Sequence, residues 1–491
     1  MLQWRARFRV VLAVCGLAGL LMSAPAGVAG TAPAAAATRG AALDWPQYLH
    51  GPQHSSVSPA TAFTPANAAS AGQVWHWQPP VIPGKPAPLL DASPTVAAGR
   101  VYIGAQSGRF YALNEATATV VWRRQLDTEP KGTCSAQGIS STAAVGPDPV
   151  TGRRTVYVSG ARYTYALTAA TGALVWKTRI GPRVANPDAY YNWSSPTVAG
   201  GHIYVGLASN CDNPLIRGGL VELSQHTGRV LHTWHAVPRG SVGGSIWTSA
   251  AATRSGSDVW VSTGNECDPT VNTCPPGNKI GHALSIVHLS SSLKLRQAWQ
   301  APGTSGHGRD WDFGSSPTLF GAGQPPSLVG ACNKNGRYYT LAASPLGRGP
   351  RWARRIGAPV HSEDSCLASS IWDRRKGALY IGGDVTTIGG TSYGGSVRRV
   401  SPATGAFAWQ TGLPCAVMGT PSLDSAGVLA AGTYTCTAGH TPGAYLIDAA
   451  TGAILKTLPV GSSRVFGQPV FAQGTLFVAT ETNGLYNFAP R

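Results

Sequence analysis

Charge is what this chain has least of. Asp, Glu, Lys and Arg make up 12% of its 491 residues, and the 21 acidic residues are outnumbered by 38 basic ones. Disorder requires low hydrophobicity with high charge, and the hydrophobic fraction of 43% excludes it. The formal charge of +17 comes without a dense Lys/Arg tract interleaved with aromatics. That argues against a nucleic-acid partner and for a basic, soluble surface. Also missing are a Ser-His-Asp spacing, a phosphate-cradling Gly-Lys-Ser loop and a C-x-x-C-H site for covalent haem. His232 and His235 lie three apart on a strand, where side chains face opposite sides, so they do not form a metal pair.

The first residues read as a secretory leader. Arg5, Arg7 and Arg9 precede an apolar run from Val10 to Met22, and a small-residue zone follows from Ser23 to Ala29. Residues 1–30 are therefore expected to be a signal peptide, 31–43 an Ala-rich linker, and 44–490 an exported domain on the cell-wall or periplasmic side. After the leader no segment is long and apolar enough to cross a membrane. Eight cysteines remain, an even number that suits disulfides in an oxidising compartment. Cys267 and Cys274 would close a small loop, and Cys415 and Cys436 would clip one repeat. The pairing of Cys134, Cys211, Cys332 and Cys366 stays open.

Turn-forming residues are abundant, with 61 Gly and 37 Pro. This composition suits many short strands joined by turns. A repeat organises them. One copy reads Ser93-Pro94-Thr95-Val96, Val101-Tyr102-Ile103-Gly104, Tyr111-Ala112-Leu113 and Val121-Trp122. The next carries Val156-Tyr157-Val158, Tyr165-Ala166-Leu167, Ala170-Thr171-Gly172 and Val175-Trp176, and further copies continue to Leu485-Tyr486. From Tyr102 to Phe477 the copies recur every about 54 residues, a length that holds four strands with their loops. The expected fold is all-β: an eight-bladed β-propeller of four-stranded antiparallel blades. The last copy ends without its apolar-Trp strand, and Val74-Trp75-His76-Trp77 is a spare one. This N-terminal strand is predicted to close the ring by completing the last blade.

The repeat core Tyr-Ala-Leu, Ala-Thr-Gly, Val-Trp resembles the quinoprotein propeller repeat over nearly all of residues 44–490, and Asp44-Trp45-Pro46-Gln47-Tyr48 resembles its opening segment. That family includes quinoprotein alcohol dehydrogenases, polyvinyl-alcohol-dehydrogenase-like proteins and non-catalytic outer-membrane assembly propellers. The resemblance implies a site. Trp247 matches the tryptophan beneath the quinone, and Asn265, eighteen residues on, the asparagine that binds the metal. Asp312, in Asp310-Trp311-Asp312-Phe313, matches the catalytic base, and Lys334, in Asn333-Lys334-Asn335-Gly336, the cation at the quinone oxygens. The implied cofactors are pyrroloquinoline quinone and Ca²⁺. A flat tri-carboxylated quinone wants an aromatic face and cations, and Ca²⁺ wants oxygen ligands.

The chain also departs from the family. Asn213 stands where a metal-binding glutamate belongs, with Asp212 beside it as the other candidate ligand. A vicinal cysteine pair is reduced to Cys134 alone. Gly314 stands where a second acid would favour a lanthanide. Two functions are therefore expected from one fold. The first is an exported dehydrogenase oxidising an alcohol, polyol or polymer, with Asp312 as general base and a separate electron acceptor. The second is a non-catalytic propeller that serves as a binding or scaffold module.

Overall fold

A computed structural model describes residues 42–129, 137–183, 189–305, 309–359 and 366–491. The leader, most of the linker and Cys134 lie outside these residues. Eight sheets follow one another along the chain as blades around a central axis, as the repeat predicts. The first blade is Thr95–Ala97, Arg100–Gly104, Arg109–Asn114 and Val120–Gln125, paired antiparallel from the inside outward. The fourth runs Ala251–Ala252, Asp258–Ser262, Ser285–Ser290 and Leu295–Gln300. The fifth runs Thr318–Phe320, Leu328–Asn333, Arg337–Ala342 and Trp352–Arg355. The last blade takes its outer strand from the other end of the chain. Gly72–Trp77 pairs antiparallel with Gly484–Ala489, placing Trp77 opposite Leu485. The spare strand therefore closes the ring.

Strand alternation leaves each blade apolar on both faces, so each hydrophobic cluster is shared between neighbours. Tyr102, Phe110 and Trp122 of the first blade, for example, pack with Val156, Val158 and Leu167 of the second. The repeat's polar residues clasp these seams. Near the axis, Ser93 N–H donates to Thr142 Oγ1 (3.1 Å), Thr142 N–H to Ser195 Oγ (2.9 Å), and Ser195 N–H to Ser249 Oγ (2.9 Å). The series continues through Ser316, Ser369 and Thr420, and Gln468 N–H closes it on Ser93 Oγ at 2.8 Å. At the rim, Trp122 Nε1–H donates to Ala169 O in the next blade's Ala-Thr-Gly turn, and Trp409 does the same to Ala449 O.

The opening segment runs across the inner ends of the blades. Backbone N–H groups of Val96, Val145, Ala252, Leu319, Trp372 and Leu423 donate to carbonyls of Trp45, Pro46, Pro52, Gln53, Ser55 and Ser56 in turn, and Val198 N–H donates to the side-chain oxygen Oε1 of Gln47. The innermost strands thus have their open edges satisfied by one band of chain. Disulfides join Cys267 to Cys274 and Cys415 to Cys436, the two pairs expected, and Cys332 to Cys366. Cys211 is also disulfide-bonded. No helix among the described residues is long and apolar enough to cross a membrane.

Candidate functional site

The inner strands enclose a cavity of about 580 Å³ lined by residues from around the whole ring. Tyr48 of the opening band lines it together with Ser316 and Thr420 of the inner girdle. Among the described residues the lining holds seven carboxylates against two cations, Lys334 and Arg309. A chain that is basic as a whole therefore has an acidic centre.

Two short segments build the most charged wall. The segment Asp310–Phe313 precedes the inner strand of the fifth blade. Phe313 bridges Asn333, and Lys334 N–H donates to Asp312 O at 2.9 Å. Extended chain alternates its side chains, so Asp310, Asp312 and Lys334 line the cavity while Trp311 does not. Lys334 Nζ lies 2.8 Å from both oxygens of Asp310 and 2.9 Å from Asp312 Oδ1. It also sits 4.9 Å from the ring centroid of Trp247, whose indole N–H donates to Asp312 Oδ2 at 2.7 Å. Asn265 Nδ2 donates to Asp310 Oδ1 (2.7 Å) and Asp212 Oδ2 (3.1 Å).

The electrostatics follow from burial and pairing. Burial pushes the Asp312 carboxyl up to about 7, against the lowering pull of Lys334. Burial also works to raise Asp310, but the Lys334 ammonium and the hydrogen bonds from Lys334 and Asn265 hold it below the usual carboxylate range. Burial alone would lower Lys334; the carboxylates of Asp312 and Asp310 more than reverse this and raise it.

Five of the six residues singled out from sequence therefore meet in one cavity: Trp247, Asn265, Asp312, Lys334 and Asp212. Asn213 does not. It is exposed and does not line the cavity. Cys211 and Asp212 both adopt left-handed backbone (φ 56° and 54°), and Ser209 Oγ holds Asp212 Oδ1 at 2.6 Å. This turn carries Asp212 inward and leaves its neighbour in solvent, so the expectation that Asn213 faces the cavity is corrected: of the two candidates only Asp212 lines it. Asp310 was not singled out as a site residue, yet it links Asn265 to Lys334. Its signal was its position two residues before Asp312, on the same face of an extended segment.

The residues present fit the family's cofactors at the reacting end. Trp247 offers an aromatic face and Lys334 a cation beside it. If the Asn265 amide is turned over, its oxygen joins those of Asp212 and Asp310 in an all-oxygen set suited to a hard divalent cation.

Fold and site together define a β-propeller with an axial, carboxylate-rich cavity. The family model described as glucose/ethanol/alcohol dehydrogenase, beta-propeller domain, matches residues 45–270, and that described as outer membrane protein assembly factor BamB matches residues 393–491. Polyvinylalcohol dehydrogenase of Sphingopyxis sp. (strain 113P3) is 25% identical over 341 residues, covering 58% of this chain and 50% of that protein. Quinohemoprotein alcohol dehydrogenase ADH IIB of Pseudomonas putida is 25% identical over 350 residues, covering 65% of this chain and 44% of that protein. The chain thus spans about half the length of the curated relatives it matches. The solved structure of quinohemoprotein alcohol dehydrogenase ADHIIG from Pseudomonas putida HK5 superposes with a TM-score of 0.73 at 16% identity, over 95% of this chain and 82% of that one, a likeness of fold. The chain is thus similar to PQQ-dependent alcohol dehydrogenase-like β-propellers, by family model over residues 45–270 and by fold over most of its length.

Proposed function

We propose that this protein is an exported quinoprotein dehydrogenase that oxidises an alcohol, polyol or polymeric alcohol, with Asp312 as general base. The observation that carries the reading is the buried Asp312 carboxylate, gripped by the Trp247 indole and the Lys334 ammonium in an axial cavity. Pyrroloquinoline quinone, when bound with a divalent cation such as Ca²⁺, supplies the two-electron acceptor for the chemistry. Trp247 would provide its stacking face, Lys334 the cation for its oxygens, and Asp212, Asn265 and Asp310 the oxygen ligands for the metal.

The chain's own residues would then manage the proton. Trp247 fixes Asp312 Oδ2, which leaves Oδ1 as the atom that receives the proton of the substrate hydroxyl. Lys334, now held by Asp310 and Asp312, would yield Oδ1 and the Asp310 oxygens by turning toward the quinone oxygens. The inner girdle and Tyr48 restrict water at the base of the cavity. Electrons leave to a separate acceptor.

A second reading is a cofactor-free propeller that binds a wall polymer or a protein. It is favoured by Lys334 being already neutralised by two carboxylates. Reconstitution separates the two. Purified chain with the quinone and Ca²⁺ is expected to bind the quinone in the micromolar range and to oxidise alcohols with a dye acceptor. Asp312→Asn is expected to bind the quinone but lose at least about a hundredfold in turnover. Absence of quinone binding at micromolar concentration sinks the enzyme reading, and turnover that survives in Asp312→Asn removes Asp312 as the base.

A further inference from the structure

A second pocket, of about 410 Å³, opens beside the junction of the fourth and fifth blades, away from the axis. Trp311, Tyr339, Arg337, Arg355 and Pro350 line it. Its charge is unusual for a strand pair. Arg337 and Arg355 stand directly opposite each other on adjacent antiparallel strands of the fifth blade. Like charges in that position repel. Among the described residues neither guanidinium has a carboxylate partner, and Arg355 reaches only the Gly357 carbonyl, at 3.4 Å. Strand alternation puts Tyr339 on the same face as Arg337, so an aromatic ring adjoins the paired cations. The buried indole N–H of Trp311 has no acceptor among the described residues. An apolar floor, two unpaired guanidiniums and a spare donor share one cavity.

We propose that this pocket is a binding site for a flat aromatic anion, a ring bearing a carboxylate or sulfonate. The anionic group sits between Arg337 and Arg355 and relieves their repulsion, as planar guanidiniums favour. The ring lies against Trp311 and Tyr339. A neutral ring of the same shape would gain only the apolar part. The site is distinct from the axial cavity: Trp311 belongs to the wall whose other face carries Asp310 and Asp312. The proposal therefore holds whatever fills the axis.

Titration calorimetry on the purified full chain tests it, with 2-naphthalenesulfonate as the probe and 2-naphthalenesulfonamide as its neutral counterpart. The sulfonate is expected to bind saturably at one site, about tenfold or more tighter than the sulfonamide. Arg337→Gln and Arg355→Gln are each expected to weaken it about tenfold or more, with Arg337→Lys retaining part of the affinity. Arg348→Gln, on exposed surface, serves as the control and should leave the affinity unchanged. Both Gln variants should melt at or above the parent temperature, because a repulsion has been removed. Equal affinity for the two probes, no saturable heat up to millimolar sulfonate, or unchanged affinity in both Gln variants overturns the proposal.

Discussion

Gly172 shows why single residues of the repeat recur. It adopts φ +67° at the Ala-Thr-Gly turn of the second blade, and a Cβ there would lie 2.5 Å from Trp122 Cε3 of the first. Gly228, Gly405 and Gly452 meet Trp176, Trp352 and Trp409 in the same way. The Gly and Trp of the repeat are thus two halves of one lock across a seam. Gly152 has nearly the same φ, +68°, with nothing within 4 Å of its Cβ position. Gly152→Ala should cost about 1 kcal/mol, the backbone effect alone, whereas Gly172→Ala adds a clash with a ring and should cost about 2–4 kcal/mol. Chemical denaturation of the two variants gives the comparison, and equal costs would show that the Trp122 contact is unimportant. The site residues read differently. Trp247, Asn265, Asp312 and Lys334 were legible because they interrupt the repeat at family spacing. The choice between Asp212 and Asn213 was not, because one left-handed turn decides which side chain enters the cavity.

Among elements, the opening band is the least regular and among the most connected. Between Leu49 and Ser56 four non-glycine residues (Leu49, His50, His54 and Ser56) have positive φ, as a chain must that turns sharply while passing from blade to blade. His54 is held inside it. It is 1% exposed, with Nδ1 2.7 Å from Pro317 O in the fifth blade. Burial lowers its pKa from 6.5 to about 4, partly opposed by that hydrogen bond. The folded state therefore resists a proton that the unfolded chain accepts. The stability from neutral His54 is complete above pH 6.5 and is lost as pH falls toward 4, at up to about 1.4 kcal/mol per pH unit. The melting temperature should fall over that window. His54→Gln, which can keep a hydrogen bond to Pro317 but does not titrate, should flatten the fall. An unchanged slope in the variant would place the acid sensitivity elsewhere. The sequence marked Asp44–Tyr48 as an opening segment, but nothing local in residues 45–58 indicated that their carbonyls would serve one inner strand after another.

At the scale of the whole molecule, stability depends on closing the ring. Seven blades contain four consecutive strands, apart from one inserted hairpin in the sixth and Val57–Ser58 added in parallel to the inner strand of the seventh, while the last borrows Gly72–Trp77. Without that strand Gly484–Ala489 becomes an open edge and part of the packing between the last and first blades is lost. A chain beginning at residue 79 lacks both the band and this strand. It is expected to lose cooperative unfolding and to associate on size-exclusion chromatography; a monomer with a single sharp transition would show that the ring closes without them. The seams also carry covalent ties. Cys415–Cys436 spans the sixth and seventh blades, and Cys332–Cys366 connects the fifth blade to the segment leading into the sixth.

The sequence alone determined the eight repeats, their strand order and the closing strand, because each depends on short-range periodicity and on a count of copies. It also specified the residue types of the axial site, since spacing along the chain preserves them. Only the tertiary structure decided which residues meet. It brought Asp310 between Asn265 and Lys334, turned Asp212 inward, wound the opening band past the inner strands and set Arg337 opposite Arg355. Each of these joins segments far apart in the chain or hinges on one backbone turn, and the free energy that selects them comes from burial and charge pairing in the assembled ring.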